Sequence, residues 1–442
     1  MNDAASAAIP GQPGQPRLLR QLNDRTALTL LLDRGPLSRN EIANLTGLSK
    51  PTAAEIIRRL ETAGVIVEAP EASPSGRRGP NAARYAVDVS STIAVAIDIQ
   101  LVDVRSTVVD ATGSAHPLVA YRMSPDEARA DAADIIEAAI VRAAEAAGID
   151  PDDVTAAAVG VQASVDHASD SLIFTDVPGG WPRDRVAETL SNALGLRVVL
   201  ENDANLAAIA ERRIGVGRAS SSFALFWVAE GIGLALDIGG RVHSGASGAA
   251  GETGYLSAPR DSVTLEPAAD TVADLISEDA VVRLALAHGV LETSETAADQ
   301  APDHDVWLAV LERMPHLEER HPFLLALGER LGHNVLPALA VADPETVIVH
   351  GPVGVAGGAA LAAATTAWLR TRTRWATAVV APGVEVAPAL RGAGFVLVDL
   401  VREALAARAI DGPGDGPVAR ATASAAPTAS AAPAPSTTDS SG

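Results

Sequence analysis

At 442 residues, with 48% hydrophobic but only 3% aromatic content, the chain is long enough for two or three domains with cores built from Ala, Val, Leu and Ile. It has no cysteine, which excludes disulfides and thiolate metal sites; with no basic-then-apolar leader and no uninterrupted apolar run near the ~18 residues of a membrane span, a cytoplasmic protein with no membrane partner is expected. The net charge of −21 argues against nucleic-acid binding by the whole, yet residues 1–90 carry eleven Lys/Arg and nine Asp/Glu, about +2, which leaves about −23 for the rest.

Residues 1–16, rich in Ala, Pro, Gly and Gln, read as a flexible arm. Leu18, Leu22, Leu28, Leu31 and Leu32 recur at helical spacing from Arg17 to Leu32, and Gly35-Pro36 ends that helix. Ser38-Arg39-Asn40-Glu41 matches a capping box at the start of a short helix through Ile42, Ala43 and Leu45. Thr46-Gly47-Leu48 forms a tight turn. Ser49 can cap the next helix, which tolerates Pro51 in its first turn and runs through Ile56, Ile57 and Leu60 to about Gly64. Val65-Ile66-Val67 and Arg84-Tyr85-Ala86-Val87 read as strands flanking a basic tip at residues 73–80.

This order predicts a winged helix-turn-helix over 17–88, and Leu37 to Gly64 resembles the winged-helix heads of bacterial repressors. A recognition helix brings its N-terminal residues to base edges in the major groove. Here those are Ser49, Lys50, Pro51, Thr52 and Ala53, with Glu55 one turn on. Arg58 and Arg59, and Arg77 and Arg78 from the wing, are expected to reach phosphates. The alternative is a winged helix used for protein contacts. One such head binds weakly, so a homodimer or homotetramer on a two-fold double-stranded operator is expected.

The body begins near Thr92. Ile93–Ile99 and Val104–Asp110 read as strands, Pro125–Ala147 as a long Ala-rich helix, Ala156–Val161 as a strand and Glu188–Leu194 as a helix. Val198-Val199-Leu200 is a short buried strand that hands directly to a helix through Glu201-Asn202-Asp203. Such a handover puts the three polar residues at the end of a sheet, where open α/β folds bind ligands. Helix capping by Asn202 or Asp203 is the competing reading. The body is assigned to 92–410. Residues 411–442, mostly Gly, Pro, Ala, Ser and Thr, read as a disordered tail.

Several body motifs, in order, resemble the ROK family of sugar kinases and repressors. They are Gly160-Val161 with Val165-Asp166, then Pro178-Gly179-Gly180-Trp181, then Glu201-Asn202-Asp203-Ala204, and then the run Gly245-Ala246-Ser247-Gly248-Ala249-Ala250-Gly251-Glu252-Thr253-Gly254. The resemblance covers about residues 92–408. It implies an α/β, actin-like (ribonuclease H-like) body of two lobes around a cleft. A winged helix ahead of such a body is the arrangement of the family's repressors. In the family's kinases the Asp at position 203 is the base that takes the sugar hydroxyl proton.

The sequence departs from the kinases where they hold phosphates. The family's Asp-x-Gly-Gly-Thr is here Asp98-Ile99-Gln100-Leu101-Val102, without the glycines that let phosphates approach the backbone. Gly-Thr-Gly-x-Gly is Ala229-Glu230-Gly231-Ile232-Gly233, which sets a carboxylate beside the nucleotide. Two unit charges 4 Å apart repel by about 4 kcal/mol at an effective dielectric of 20. The third glycine cluster reads Val349-His350-Gly351-Pro352, with His350 expected as a substituted turn residue rather than a catalytic group. Tyr255 replaces the family's zinc-binding His, and Leu256–Asp270 has neither Cys nor His, so no metal is expected and the loop would be held by packing alone. Gln162-Ala163-Ser164 also departs from the family near the sugar.

The resemblance thus implies a DNA-binding repressor of carbohydrate-related genes. No cofactor and no catalytic residue are expected, and Asn202, Asp203, Glu252 and Tyr255 form a pocket for a sugar or sugar derivative. A sugar kinase with an accessory DNA domain, and a regulator whose body is only a dimerisation scaffold, are the alternatives.

Overall fold

A computed structural model describes residues 15–69, 83–175, 180–229, 231–267, 269–292 and 304–411. The wing tip with Arg77 and Arg78, the Pro178-Gly179 pair, Glu230, residues 1–14 of the expected arm and the tail from residue 412 lie outside the described residues.

The head consists of α1 (Gln15–Arg34), β1 (Leu37–Ser38), α2 (Arg39–Thr46), α3 (Lys50–Thr62), β2 (Ile66–Glu68) and β3 (Arg84–Val87). Ser38 and Glu41 form the expected capping box, and Gly47, with φ 70°, makes the left-handed turn between α2 and α3. The three strands pair in the order β1-β3-β2; β1 was not expected from sequence. Leu28, Leu31 and Leu32 are buried, but Leu18 and Leu22 stand exposed, so the core face of α1 is shorter than its leucine spacing implied.

The first lobe carries β4 (Ala94–Ile99), β5 (Asp103–Val109), β6 (Leu118–Arg122), α4 (Ala132–Ala147), β7 (Ala156–Val161), a hairpin of β8 (Ala163–Asp166) and β9 (Ser171–Thr175), α5 (Val186–Leu194), β10 (Arg197–Asn202) and α6 (Asp203–Ile214). The helix expected over 125–147 is shorter than predicted. Ser124 and Glu127 close a separate turn, and α4 starts only after Asp131. The second lobe carries β11 (Ser222–Val228), β12 (Ile232–Ile238), β13 (Arg241–Val242), α7 (Glu278–Ala287), α8 (His304–Arg313), α9 (Pro322–Ala342), β14 (Thr346–His350), α10 (Gly351–Arg372) and β15 (Ala378–Val380). Then α11 (Pro388–Asp411) returns to the first lobe.

The two five-stranded sheets share one topology. The orders β6-β5-β4-β7-β10 and β13-β12-β11-β14-β15 correspond strand for strand in pairing sense, with three antiparallel strands followed by two parallel ones. This is the two-lobed α/β body that the resemblance implied, here with the same strand order in each lobe. Only α10 among the described helices is long and apolar enough to cross a membrane. It breaks at Gly358, whose φ is 49°, and it packs into the second lobe's core through Val353, Leu361 and Leu369.

Head and body are not separate beads. One buried cluster runs from Leu28, Leu31, Ile57 and Tyr85 of the head into Leu397, Val401 and Leu405 of α11, and on to Ala96, Ala158 and Leu206 of the first lobe. Arg402 of α11 donates through Nε to the Ala111 carbonyl at 2.8 Å and lies 3.4 Å from Asp33 at the end of α1.

Candidate functional site

On the head, Ser49 accepts from the Thr52 amide, 3.3 Å away, and the two hydroxyls lie 2.8 Å apart. The cap thereby fixes the end of α3 that would meet DNA. Lys50 and Pro51 are exposed there, while Ile56, Ile57 and Leu60 turn the opposite face into the core. Arg58 is exposed and clasps Glu55 through Nε and a terminal nitrogen at 3.1 and 2.6 Å. Arg59 behaves differently from the sequence reading. It reaches back to α1 and grips the buried Asp24 with two bonds, 3.1 and 2.5 Å. A bidentate pair with a desolvated carboxylate is stronger than a solvated contact, so Arg59 braces α3 against α1 instead of pointing outward to phosphates.

On the body, strand register assembles the site. In the parallel trio β4, β7 and β10, Asp98 and Glu201 both pair with Gly160, and Asn202 pairs with Val161. Asp98, Gln100, Gln162, Asn202 and Asp203 therefore gather at the carboxyl ends of three neighbouring strands, where such folds bind ligands. At Gly160 a methyl would meet Leu206 Cδ1 at 2.8 Å, so a larger residue there would require the Leu206 side chain to move.

The two polar residues at the start of α6 are held differently. Asn202 is the cap, accepting from the Asn205 amide at 3.1 Å, while its own amide donates to the Ala163 carbonyl at 3.2 Å. Glu201 accepts from Asn205 Nδ2 at 2.9 Å, and its other oxygen lies 3.0 Å from His167 Nε2. That bond is the main reason the His167 pKa is raised above its ordinary value. Asp203 is not the cap. It is buried in the first turn, and its Oδ1 accepts from the Ala204 amide at 2.8 Å. Burial first, and the nearby Asp98 second, push its pKa to about 7. Asp98 is also raised by burial, against the pull of Gln100 and Arg105.

Gln100 is the hub between the two carboxyls. Its Nε2 donates to Asp98 Oδ1 at 2.7 Å, it also faces Asp203, and its Oε1 accepts from Gln162 at 2.8 Å. The two glutamine amides hold each other beside Asp98, where the kinases' glycines would leave room for phosphate. Residues 100 and 162 stand out in sequence as departures, but nothing in sequence pairs them.

The glycine run reaches both lobes. A side chain at Gly248 would meet the Val165 carbonyl oxygen at 2.0 Å on β8, and one at Gly251 would meet that of Leu234 at 1.8 Å on β12; both have positive φ. These close approaches set Glu252 against β8, where it accepts a hydrogen bond from Ser164. Tyr255, two-thirds exposed, is the one expected ligand residue that the fold leaves at the surface.

His350 is fully buried. Its Nδ1 accepts from the Gly351 amide at 2.7 Å, its Nε2 lies 3.3 Å from Glu211, and its ring stacks on Trp227. It thus shapes the turn into α10. Among the described residues no three His, Asp or Glu side chains gather as metal ligands. Packing alone does not hold the 256–270 loop, which corrects the sequence reading. Arg330 of α9, which sequence gave no reason to single out, donates to the Leu265 carbonyl at 2.6 Å and to Glu266 at 3.2 Å.

The sequence model of the ROK family matches residues 94–399, and that of a winged helix-turn-helix DNA-binding domain matches residues 20–67. The xylose repressor of Caldicellulosiruptor bescii is 23% identical over 245 residues, which is 55% of this chain and 60% of that protein. The match thus spans about three fifths of that relative's length. A crystal structure of a ROK family transcriptional regulator, a homolog of the E. coli MLC protein, shares the fold with a TM-score of 0.63 at 18% identity, covering 89% of this chain and all of the other. The Streptomyces griseus ROK glucokinase, solved with glucose and AMPPNP, gives 0.54 at 22% identity, covering 69% of this chain and 98% of its own. The chain belongs to the ROK family, and it carries a winged helix-turn-helix ahead of the family's body.

Proposed function

We propose that this protein is a cytoplasmic DNA-binding repressor of sugar-utilisation genes, acting as a homo-oligomer on a two-fold operator and governed by a sugar or sugar derivative. The observation that carries this is the division of the site. Asn202, Asp203 and Glu252, the residues expected toward a sugar, sit at the strand ends and against β8, while Gln100, held by Gln162, lies against Asp98 at the position where the family's kinases carry glycines. The domain boundaries follow the same logic, with the head over 17–88 and the body over 92–410. The repressor name of the C. bescii relative supports the reading and makes D-xylose the first sugar to try. Without a phosphate-binding turn, Asp203 has no phosphoryl acceptor step to drive, so kinase activity is not expected.

Transmission runs through α11, which packs on α6 next to the site and on the head at its other end. Effector binding that shifts α6 would move α11 and change how the head presents α3, a population shift between DNA-competent and incompetent arrangements. The test is binding of the purified protein to its own upstream DNA across a salt series, with and without D-xylose and D-glucose, beside a coupled ATP assay with the same sugars. Absence of salt-sensitive DNA binding sinks the repressor reading, and sugar-dependent ATP turnover replaces it with the kinase.

One observation favours the scaffold reading. Asn202 already satisfies its cap, and Glu252 already holds Ser164. If Asp203→Ala leaves regulation intact and no sugar shifts the melting temperature, the body is a scaffold.

A further inference from the structure

Arg330 is a charged side chain inside the second lobe, 5% exposed, and its guanidinium holds three acceptors on two segments of chain. One terminal nitrogen donates to the Leu275 carbonyl at 3.0 Å and to Glu266 Oε2 at 3.2 Å. The other donates to the Leu265 carbonyl at 2.6 Å. Glu266, itself buried, offers its second oxygen to Arg283 of α7 at 3.3 Å. A buried guanidinium is costly unless its donors are met; in Arg330 both terminal nitrogens are met, while the buried Nε has no hydrogen-bond partner among the described residues. Here it ties the tip of one loop, and the turn that follows that loop, to a single point on α9.

The loop is closed at its neck by backbone bonds. Val272 donates to the Leu256 carbonyl and Ala258 to that of Asp270, both at 2.9 Å. Leu256 directly follows the turn Thr253–Tyr255, and Glu252 directly precedes it. The second turn held by Arg330, Ala273–Leu275, touches the first: a methyl at Gly254 would stand 3.6 Å from Ala273 Cβ. The path from the guanidinium to Glu252 therefore has two steps, through Leu275 and Ala273 to Gly254, and through the loop neck to Leu256.

We propose that Arg330 is a positioning residue of the effector site, fixing from α9 the turn that sets Glu252 against Ser164 in the first lobe. This rests on the effector-site reading above only for its consequence; the placement itself is independent of any ligand. Because Arg330 sits in one lobe and Ser164 in the other, the staple also sets how Glu252 spans the cleft.

Hydrogen exchange on the full-length chain decides it. In Arg330→Met, peptides covering 252–275 should exchange at least tenfold faster, while those covering β4, β7 and α3 stay within twofold. Glu266→Gln, which keeps the two carbonyl bonds, should show a smaller rise confined to the same segment. Arg330→Lys, whose ammonium cannot span all three acceptors, should restore the parent only in part. Unchanged exchange over 252–275 in Arg330→Met overturns the proposal. So does a rise of equal size throughout the chain in both Arg330→Met and Glu266→Gln.

A thermal-shift titration with D-xylose and D-glucose reads the consequence. Arg330→Met should weaken whichever sugar binds the parent at least fivefold, with salt-dependent DNA binding unchanged. An unchanged sugar affinity overturns the positioning role. If neither sugar shifts the parent, the sugar-effector reading fails by itself and the exchange result still decides whether Arg330 sets the turn.

Discussion

Gly392 of α11 lies against the backbone of Leu206 on α6 so closely that a methyl group at residue 392 would stand 2.0 Å from the Leu206 carbonyl oxygen. The contact is backbone to backbone, so no side chain can swing away to relieve it. Leu206 is one turn from Asp203, and α11 ends in the cluster that holds the head. The contact is where a displacement of α6 would be handed to the DNA-binding end.

Gly392→Ala should therefore force the helices apart. Overpacking of a fitted contact costs about 1–3 kcal/mol, to be read as a lower urea midpoint with an unchanged slope. If coupling runs through this contact, the same variant should change DNA affinity at fixed salt although it is remote from α3. A variant with parental stability would show that the helices are not seated this closely.

Arg58 and Arg59, adjacent in sequence, should behave differently on DNA. Each phosphate neutralised contributes about 0.9 to the slope of log K against log salt. Arg58→Ala should lower that slope by about one. Arg59→Met should leave the slope unchanged but destabilise the head by about 1–3 kcal/mol, because it strands the buried Asp24. Asp24→Asn should show the same destabilisation. A slope change in Arg59→Met would mean that this side chain leaves Asp24 for phosphate.

The head was readable because its signals are local. Ser38 and Glu41 are three residues apart, and Gly47 and Ser49 mark a turn and a cap within three positions. In the body, Asn202, Asp203 and Glu252 were singled out through motif order, and the strand register explains why Asp203 comes near Asp98. What sequence did not show lies at long separation. Gln162 and Gln100 are 62 residues apart, and Arg330 and Glu266 are 64 apart. Strand β6 escaped because its alternation Leu118-Val119-Ala120-Tyr121-Arg122 is nowhere fully buried.

Glu211 offers a second test of lobe coupling. From α6 it accepts the amides of Gly383 and Val384 at 2.7 and 2.8 Å, accepts that of Val216 at 2.8 Å, and faces His350. Burial raises its pKa, but His350 and the backbone amides outweigh that and leave it below the ordinary Glu value. A lowered carboxylate pKa stabilises the fold above the unfolded value near 4.5 and loses that contribution as pH falls through the folded one. Glu211→Gln should weaken the protein at pH 7 by about 1–3 kcal/mol, since one oxygen becomes a donor facing donors. It should also flatten the acid limb of the stability profile. An unaltered acid limb would assign that limb to other carboxylates.

Asp203 should act in the opposite sense and in a different pH window. Its folded pKa is raised to about 7 from 3.8, by burial and then by Asp98. Between those two values the native state keeps a proton that the unfolded chain has released, so this residue makes stability fall as pH rises from about 4 to about 7. Asp203→Asn removes the penalty while keeping an oxygen to accept from Ala204. The variant should match the parent at pH 4 and exceed it at pH 8 by a few kcal/mol, at about 1.4 kcal/mol per pKa unit. Urea melts at the two pH values measure this directly. If Asp203 only supported the helix end, its replacement would weaken the protein at both. A sugar hydroxyl donating to Asp203 favours the charged form, so effector binding should release a proton near pH 7 and tighten from pH 6 to pH 8. Calorimetric titration in two buffers of different ionisation enthalpy would detect that proton, and its absence would remove Asp203 from the effector contacts.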